Sequence, residues 1–154
     1  MASVLRPTQV AGYTSAYAQA PKGILSLGTS WVKISIGNSH ALAIKSDGTL
    51  YAWGLNTSGQ LGDGTVVNKS SPVQVSGLWS NVSAGYNYSL GLTSTSLLYA
   101  WGDNSLSQLG TNDQVLRSSP TQIGTSSWNA VNAGPSHAAA IRSDKTLWVW
   151  GRNN

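Results

Sequence analysis

Trp31-Val32-Lys33-Ile34-Ser35-Ile36-Gly37-Asn38-Ser39-His40-Ala41-Leu42-Ala43-Ile44-Lys45-Ser46-Asp47-Gly48-Thr49-Leu50-Tyr51-Ala52-Trp53-Gly54 is the stretch that decides the fold. Residues 31–36 alternate apolar and polar side chains, the period of a strand with one buried face. Gly37-Asn38-Ser39 reads as a turn, and residues 40–44 form a second strand, apolar on both faces. Ser46-Asp47-Gly48-Thr49 predicts a tight hairpin, with Asp-Gly supplying the positive φ values such turns need. Residues 50–53 make a third strand. A Gly-rich loop, Asn56 to Gly64, leads to a fourth at Pro72–Val75.

The same unit is written again. The Trp-Gly pair at 53–54 returns at 101–102 and 150–151, and the leading tryptophan at 31 returns at 79 and 128, steps of 48 and 49 residues. Strands follow at Trp79–Ala84, Tyr88–Leu92, Leu97–Trp101 and Pro120–Ile123, then at Trp128–Ala133, His137–Ile141 and Leu147–Trp150. Four short antiparallel strands in about 50 residues describe one blade of a β-propeller. The expected fold is therefore all-β, with two complete blades and one incomplete blade that do not close a ring within the chain. The divisions are 31–78 and 79–127 for the complete repeats and 128–154 for the incomplete one, preceded by an arm (1–12) and an insertion (13–30).

Pro7-Thr8-Gln9-Val10 matches Pro72-Val73-Gln74-Val75 and Pro120-Thr121-Gln122-Ile123. It is a spare fourth strand, while the last repeat stops at Asn154, before its own fourth strand. That offset makes residues 7–10 a candidate assembly strand, completing the final blade of a neighbouring copy head to tail.

Composition narrows the function. Charged residues are 9% of the 154, against a usual quarter or so. Polarity comes from 24 Ser, 12 Thr and 11 Asn, while seven Trp and six Tyr supply core-forming surface. The net charge is +4, but the nine Lys and Arg are scattered, which argues against a nucleic-acid surface. There is no cysteine, hence neither disulfide nor thiolate metal site. No run approaches the ~20 apolar residues of a membrane span, and no secretory pattern opens the chain.

His40 and His137 occupy one repeat position, which Tyr88 fills in the middle unit. Without Cys or Glu beside them they read as buried, hydrogen-bonded structural residues, not catalytic or metal-binding ones. Asp47 and Asp144 fall in corresponding turns, where Asp caps its own backbone. Asp63 lies in Leu61-Gly62-Asp63-Gly64 without the spaced acidic ligands of a calcium loop. No nucleophile or phosphate-binding motif is present. The expectation is a non-enzymatic chain without cofactor or metal.

The offsets resemble the repeat of the regulator of chromosome condensation family. Gly37, His40, Asp47-Gly48, Trp53, Gly54, Asn56, Gly59-Gln60-Leu61-Gly62 and Ser71-Pro72 fill its pattern. Gly85, Trp101, Gly102, Asn104, Gln108-Leu109-Gly110 and Ser119-Pro120 fill it again, with Tyr88 for the histidine and Ser107 for the first loop glycine. Gly134, His137, Trp150, Gly151 and Asn153 begin a third. The resemblance implies a propeller of usually about seven blades. Three blades cannot close a ring, and each needs a neighbour to cover its apolar face. The chain is therefore expected in a homo-oligomer or larger assembly with protein partners. By analogy the favoured setting is a virion component: phage tail, fibre or capsid surface. A guanine-nucleotide exchange or chromatin-binding factor like the family's namesake, and a secreted enzyme inhibitor, are the alternatives.

Overall fold

The computed structural model describes residues 30–152; the candidate strand Pro7–Val10, nearly all of the 13–30 insertion and Asn153 lie outside them. Among the described residues there are nine strands and no helix, each strand antiparallel to its neighbour in sequence. They are β1 (Trp31–Ile36), β2 (His40–Lys45), β3 (Thr49–Gly54), β4 (Lys69–Ala84), β5 (Tyr88–Thr93), β6 (Leu97–Gly102), β7 (Arg117–Ala133), β8 (His137–Arg142) and β9 (Leu147–Gly151).

Two strands are twice as long as the sequence predicts. Pro72–Val75 and Trp79–Ala84 are not separate elements but the two halves of β4. Its first half pairs with β3 (Leu50 opposite Val75, Ala52 opposite Val73) and its second with β5 (Val82 opposite Gly91, Ala84 opposite Ser89). β7 does the same between β6 and β8. Each long strand is therefore the last strand of one blade and the first of the next. The change of partner falls between Leu78 and Trp79 in β4 and between Ser127 and Trp128 in β7, a few residues after Gly77 (φ 105°) and Gly124 (φ 61°). A register shift just after Trp31, Trp79 and Trp128 marks the start of each blade.

The hairpin turn also differs in detail. Gly48 has φ 84°, but Asp47 is not in the positive-φ region. Asp47 instead accepts the backbone N–H and hydroxyl of Thr49 at 3.0 and 2.6 Å, so one left-handed residue suffices. Ser96 (φ 65°) and Lys145 (φ 74°) fill that place in the other blades.

The apolar core lies between blades, because a single four-stranded sheet has two faces and no interior. We call the face toward the preceding blade leading and the other trailing. At the first junction Leu42, Ile44, Leu50 and Ala52 of the trailing face meet Trp79, Val82 and Trp101 of the next leading face. At the second, Leu90, Leu92, Leu98 and Ala100 meet Trp128, Val131, Ala140 and Trp150. Leu42 of β2 faces the next blade, while Ala43 lies on the leading face. Each large side chain buried in this way contributes roughly 1.5–3 kcal/mol.

The loop after β3 locks the junction. Gln60 O accepts the Trp101 indole N–H at 3.0 Å, and Gln108 O accepts that of Trp150 at 2.9 Å. Gly62 (φ 74°) lies over the Trp101 ring, where a Cβ would stand 2.7 Å from Nε1. Gly62→Ala is expected to lower stability by roughly 2–4 kcal/mol, backbone strain plus overpacking. Gly64 (φ 83°) has Ser119 Oγ at 3.6 Å as its nearest neighbour, so Gly64→Ala should cost only the strain, about 1 kcal/mol. Urea unfolding of both variants, followed by tryptophan fluorescence, checks the difference.

Candidate interaction surfaces

The loops on one rim are built by a buried asparagine. Asn56 Nδ2 donates to Asp63, to the Thr65 side chain and carbonyl, and to Val67 O, while its Oδ1 accepts from Leu61 N–H. Asn104 repeats this with Thr111, Asp113 and Leu109. One fully buried amide thus closes a loop of about a dozen residues, a demand Asp or Gln cannot meet with the same geometry. Lys69 pairs with Asp63 at 3.3 Å and Arg117 with Asp113 at 2.6 Å, fixing the loop to the start of the long strand. Asp63 is half enclosed, and burial raises its pKa. The Thr65 hydrogen bonds and the Lys69 and Asn56 contacts outweigh that, leaving it below the ordinary value. Its oxygens are turned to these groups, so the loop is a self-closed element.

The Trp-Gly positions have one steric logic. Gly54, Gly102 and Gly151 have φ 109°, 107° and 102°. A Cβ there would sit 2.5 Å from Ser39 O, 2.6 Å from Asn87 O and 2.8 Å from Ser136 O. The chain must pass the preceding turn closely as it leaves the sheet. Trp101 is fully buried, Trp150 half-buried and Trp53 half-buried.

Gly37, Gly85 and Gly134 pack against the ring three residues on, that of His40, Tyr88 and His137 respectively. The three turns converge on one shallow concavity shared by all blades, lined by Ile36, Asn38, Tyr86 and Pro135 beside the glycines. Tyr88 is buried, which pushes its hydroxyl pKa up; the hydroxyl donates to His137 O across the second junction. His40 is 3% exposed, and its Nε2 lies 2.9 Å from Ser89 Oγ in the next blade. Ser89 Oγ in turn donates to Gln60 O at 2.8 Å. The serine has one proton, so His40 Nε2–H is the donor. His40 Nδ1 is buried and has no hydrogen-bond partner among the described residues. One expectation fails here. His137, expected to be buried, is exposed, because its face has no following blade among the described residues. Ser89, which receives His40, gave no sequence signal: Ala41 and Ala138 fill its place in the other units.

The described residues of neighbouring blades do not cover the two end faces. On the leading face of the first blade Ile34 is 65% exposed, where Val82 and Val131 are 7% and 9%. With Trp31, Val32, Lys33, Ala43 and Trp53 it lines an apolar groove. On the trailing face of the third blade Leu147 is 67% exposed, where Leu50 and Leu98 are fully buried. Trp148 lies on the opposite, leading face of β9, edge-on to Trp128 at 6.4 Å, and the Arg142 guanidinium lies 3.9 Å from its ring. Among the described residues no three His, Cys, Asp or Glu gather in a metal-binding group, and no helix is long and apolar enough to cross a membrane.

Burial lowers the His40 imidazole from its usual 6.5 to about 4. The folded chain then binds fewer protons than the unfolded chain between those values. Stability is therefore expected to be flat above pH 6.5 and to fall by up to about 1.4 kcal/mol per pH unit toward pH 4. The aspartates held below 3.8 (Asp47, Asp63, Asp113 and Asp144) add their own loss only below that value. Urea midpoints from pH 8 to 4 check this, and His40→Gln should flatten the slope above pH 4.

Comparison with known proteins gives one family. Models described as Regulator of chromosome condensation (RCC1) repeat match residues 31–60 and 79–108, and residues 47–92 and 96–141. The Ultraviolet-B receptor UVR8 of Arabidopsis thaliana is 45% identical over 56 residues, 36% of this chain and 13% of that protein. The X-linked retinitis pigmentosa GTPase regulator homolog of Caenorhabditis elegans is 46% identical over 44 residues, 29% of this chain and 3% of that protein. Human WBSCR16 superposes with TM-score 0.74 at 21% identity, covering 79% of this chain and 33% of its own. Prp20p of Saccharomyces cerevisiae does so with 0.66 at 25% identity, covering 79% and 33%. The chain thus spans a small fraction of these curated relatives and about a third of each of the two solved chains. With its junctions, its loops and the match over most of residues 31–141, the chain belongs to the Regulator of chromosome condensation (RCC1) repeat family.

Proposed function

We propose that the chain is a non-catalytic protein-interaction module with a structural role in a larger particle, a virion being the favoured setting. The observation that carries the reading is the exposed apolar surface around Ile34 and Leu147, on the two outer faces among the described residues. Contiguous exposed apolar surface of that kind marks a protein-binding site.

Two further observations support it. Three of the cations are engaged locally, Lys69 and Arg117 by loop aspartates and Arg142 by Trp148, which argues against a basic surface for nucleic acid. A similar fold occurs in the C-terminal domain of gp131 from bacteriophage phiKZ, TM-score 0.54 over 86% of this chain and 39% of that one. At 14% identity that is a likeness of fold alone. The namesake's activity is the weaker reading. The first two repeats differ by a single extra residue before Trp128, which leaves no inserted segment there to act on a GTPase.

Gradient sedimentation of particles from the source that produces the chain tests the reading. The chain is expected in the particle fraction at fixed stoichiometry. Recovery only in the soluble fraction would contradict it, as would accelerated release of bound nucleotide from a small GTPase.

A further inference from the structure

Resting on that reading and naming where its partner binds, we propose that the rim formed by the two long loops docks on an apolar, uncharged patch of another folded protein of the particle, through Val66 and Val67 of the first loop and Val115 and Leu116 of the second. All four side chains are exposed, and Leu106 joins them in the second loop. Their exposure follows from how the loops close. The buried Asn56 amide draws the Thr65 and Val67 carbonyls inward, and Asn104 draws in that of Asp113, which leaves the side chains at the loop tips facing out. Aliphatic side chains displayed together on a rigid rim mark a contact surface.

The exposure belongs to the loops and not to where the described residues begin or end. Val67 is 60% exposed with the following blade in place beside its loop, and its counterpart Val115 is 57% exposed. At that seam Gly64 N–H donates to Ser118 O at 2.9 Å, and a Cβ on Gly59 would stand 2.7 Å from Ser118 Cα. Val66 comes two residues after the bonded glycine and Leu116 two residues before the serine, so the two tips lie on either side of one hydrogen bond. Ser30 joins β1 on the opposite rim, where its carbonyl accepts the Ser46 N–H. The hairpin turns of that opposite rim, 46–48, 94–96 and 143–145, hold only Ser, Thr, Asp, Gly and Lys.

Charge selects the partner. The loop carboxylates are engaged within the loops: Asp63 by Lys69, Asp113 by Arg117, and Asp103 by Ser105 and Gln108. A charged patch on a partner would be desolvated against the tips without a counter-ion. An uncharged apolar patch matches them, as in the charge-depleted cores of protein interfaces. A lipid surface is a poorer match, because the tips carry no Trp and both cations beside them are held by aspartates. The buried amides also fix the loops in advance, which lowers the entropic cost of docking.

Gradient sedimentation of particles assembled with variants of the full chain is the test. The double variant Val67→Asp/Val115→Asp places a charge on each tip, and Ser94→Asp does so on the opposite rim. All three positions are exposed, and tryptophan fluorescence verifies that each variant folds. Wild type and Ser94→Asp are expected in the particle fraction at equal stoichiometry. The double variant is expected there at roughly a tenth of that level or less, because two contact positions have become charged. A double variant bound like wild type would overturn the inference and leave the proposed function standing. A wild type found only in the soluble fraction would contradict both. Flotation of the wild type with phosphatidylcholine vesicles, lost in the double variant, would overturn the protein partner in favour of lipid. Self-association of the isolated wild type in sedimentation velocity, lost in the double variant, would overturn it in favour of a second copy.

Discussion

The indole hydrogen bond between blades is the constraint on which the rest of the structure depends. Trp101 donates to Gln60 O and Trp150 to Gln108 O, each reaching back into the loop of the blade before. For that carbonyl to point at the ring, the loop must turn sharply and carry no side chain where it crosses the indole. Gly62 and Gly110 meet that need. The loop must also be closed from within, which the fully buried Asn56 and Asn104 do. Each repeat motif is therefore half of a contact whose other half is some 40 residues away, and no blade is complete by itself.

Much of this was legible in the sequence, because repetition gives the same answer several times over. The period of 48–49 residues and the alternation in residues 31–36 and 79–84 located most strands to within a residue or two. What was not legible depends on three-dimensional neighbours. Nothing local distinguishes two strands from one long one, so the fusion across Ser76-Gly77-Leu78 was missed. His40 and His137 share the local pattern Gly-x-Ser-His-Ala yet differ in burial, since one lies under the next blade and the other lies on an end face. Gln60 acts through its backbone carbonyl, which its side chain does not announce. The candidate strand Pro7–Val10 lies outside the described residues, so its part in assembly rests on sequence alone.

Coupling in such an arc is nearest-neighbour. The two apolar clusters do not share residues, and the polar links (His40 to Ser89, Tyr88 to His137 O) each cross one junction. Stability then follows the number of covered junctions, as in other repeat proteins. The middle blade, covered on both sides, holds the fully buried Trp101, Leu90 and Leu98. Among the described residues, the outer blades each present one face with the same apolar pattern exposed. That difference between chemically equivalent positions is the physical basis for assigning a binding role to the ends.

Hydrogen exchange of the tryptophan indole N–H groups measures the central claim most directly. If blade junctions hold the fold together, the Trp101 N–H should exchange only through global unfolding, at a rate tracking the unfolding free energy in added urea. The exposed Trp148, bonded only to Thr146 of its own strand region, should exchange much faster by local motion. A Trp101 N–H that exchanges as fast as that of Trp148, with no dependence on urea, would contradict the account.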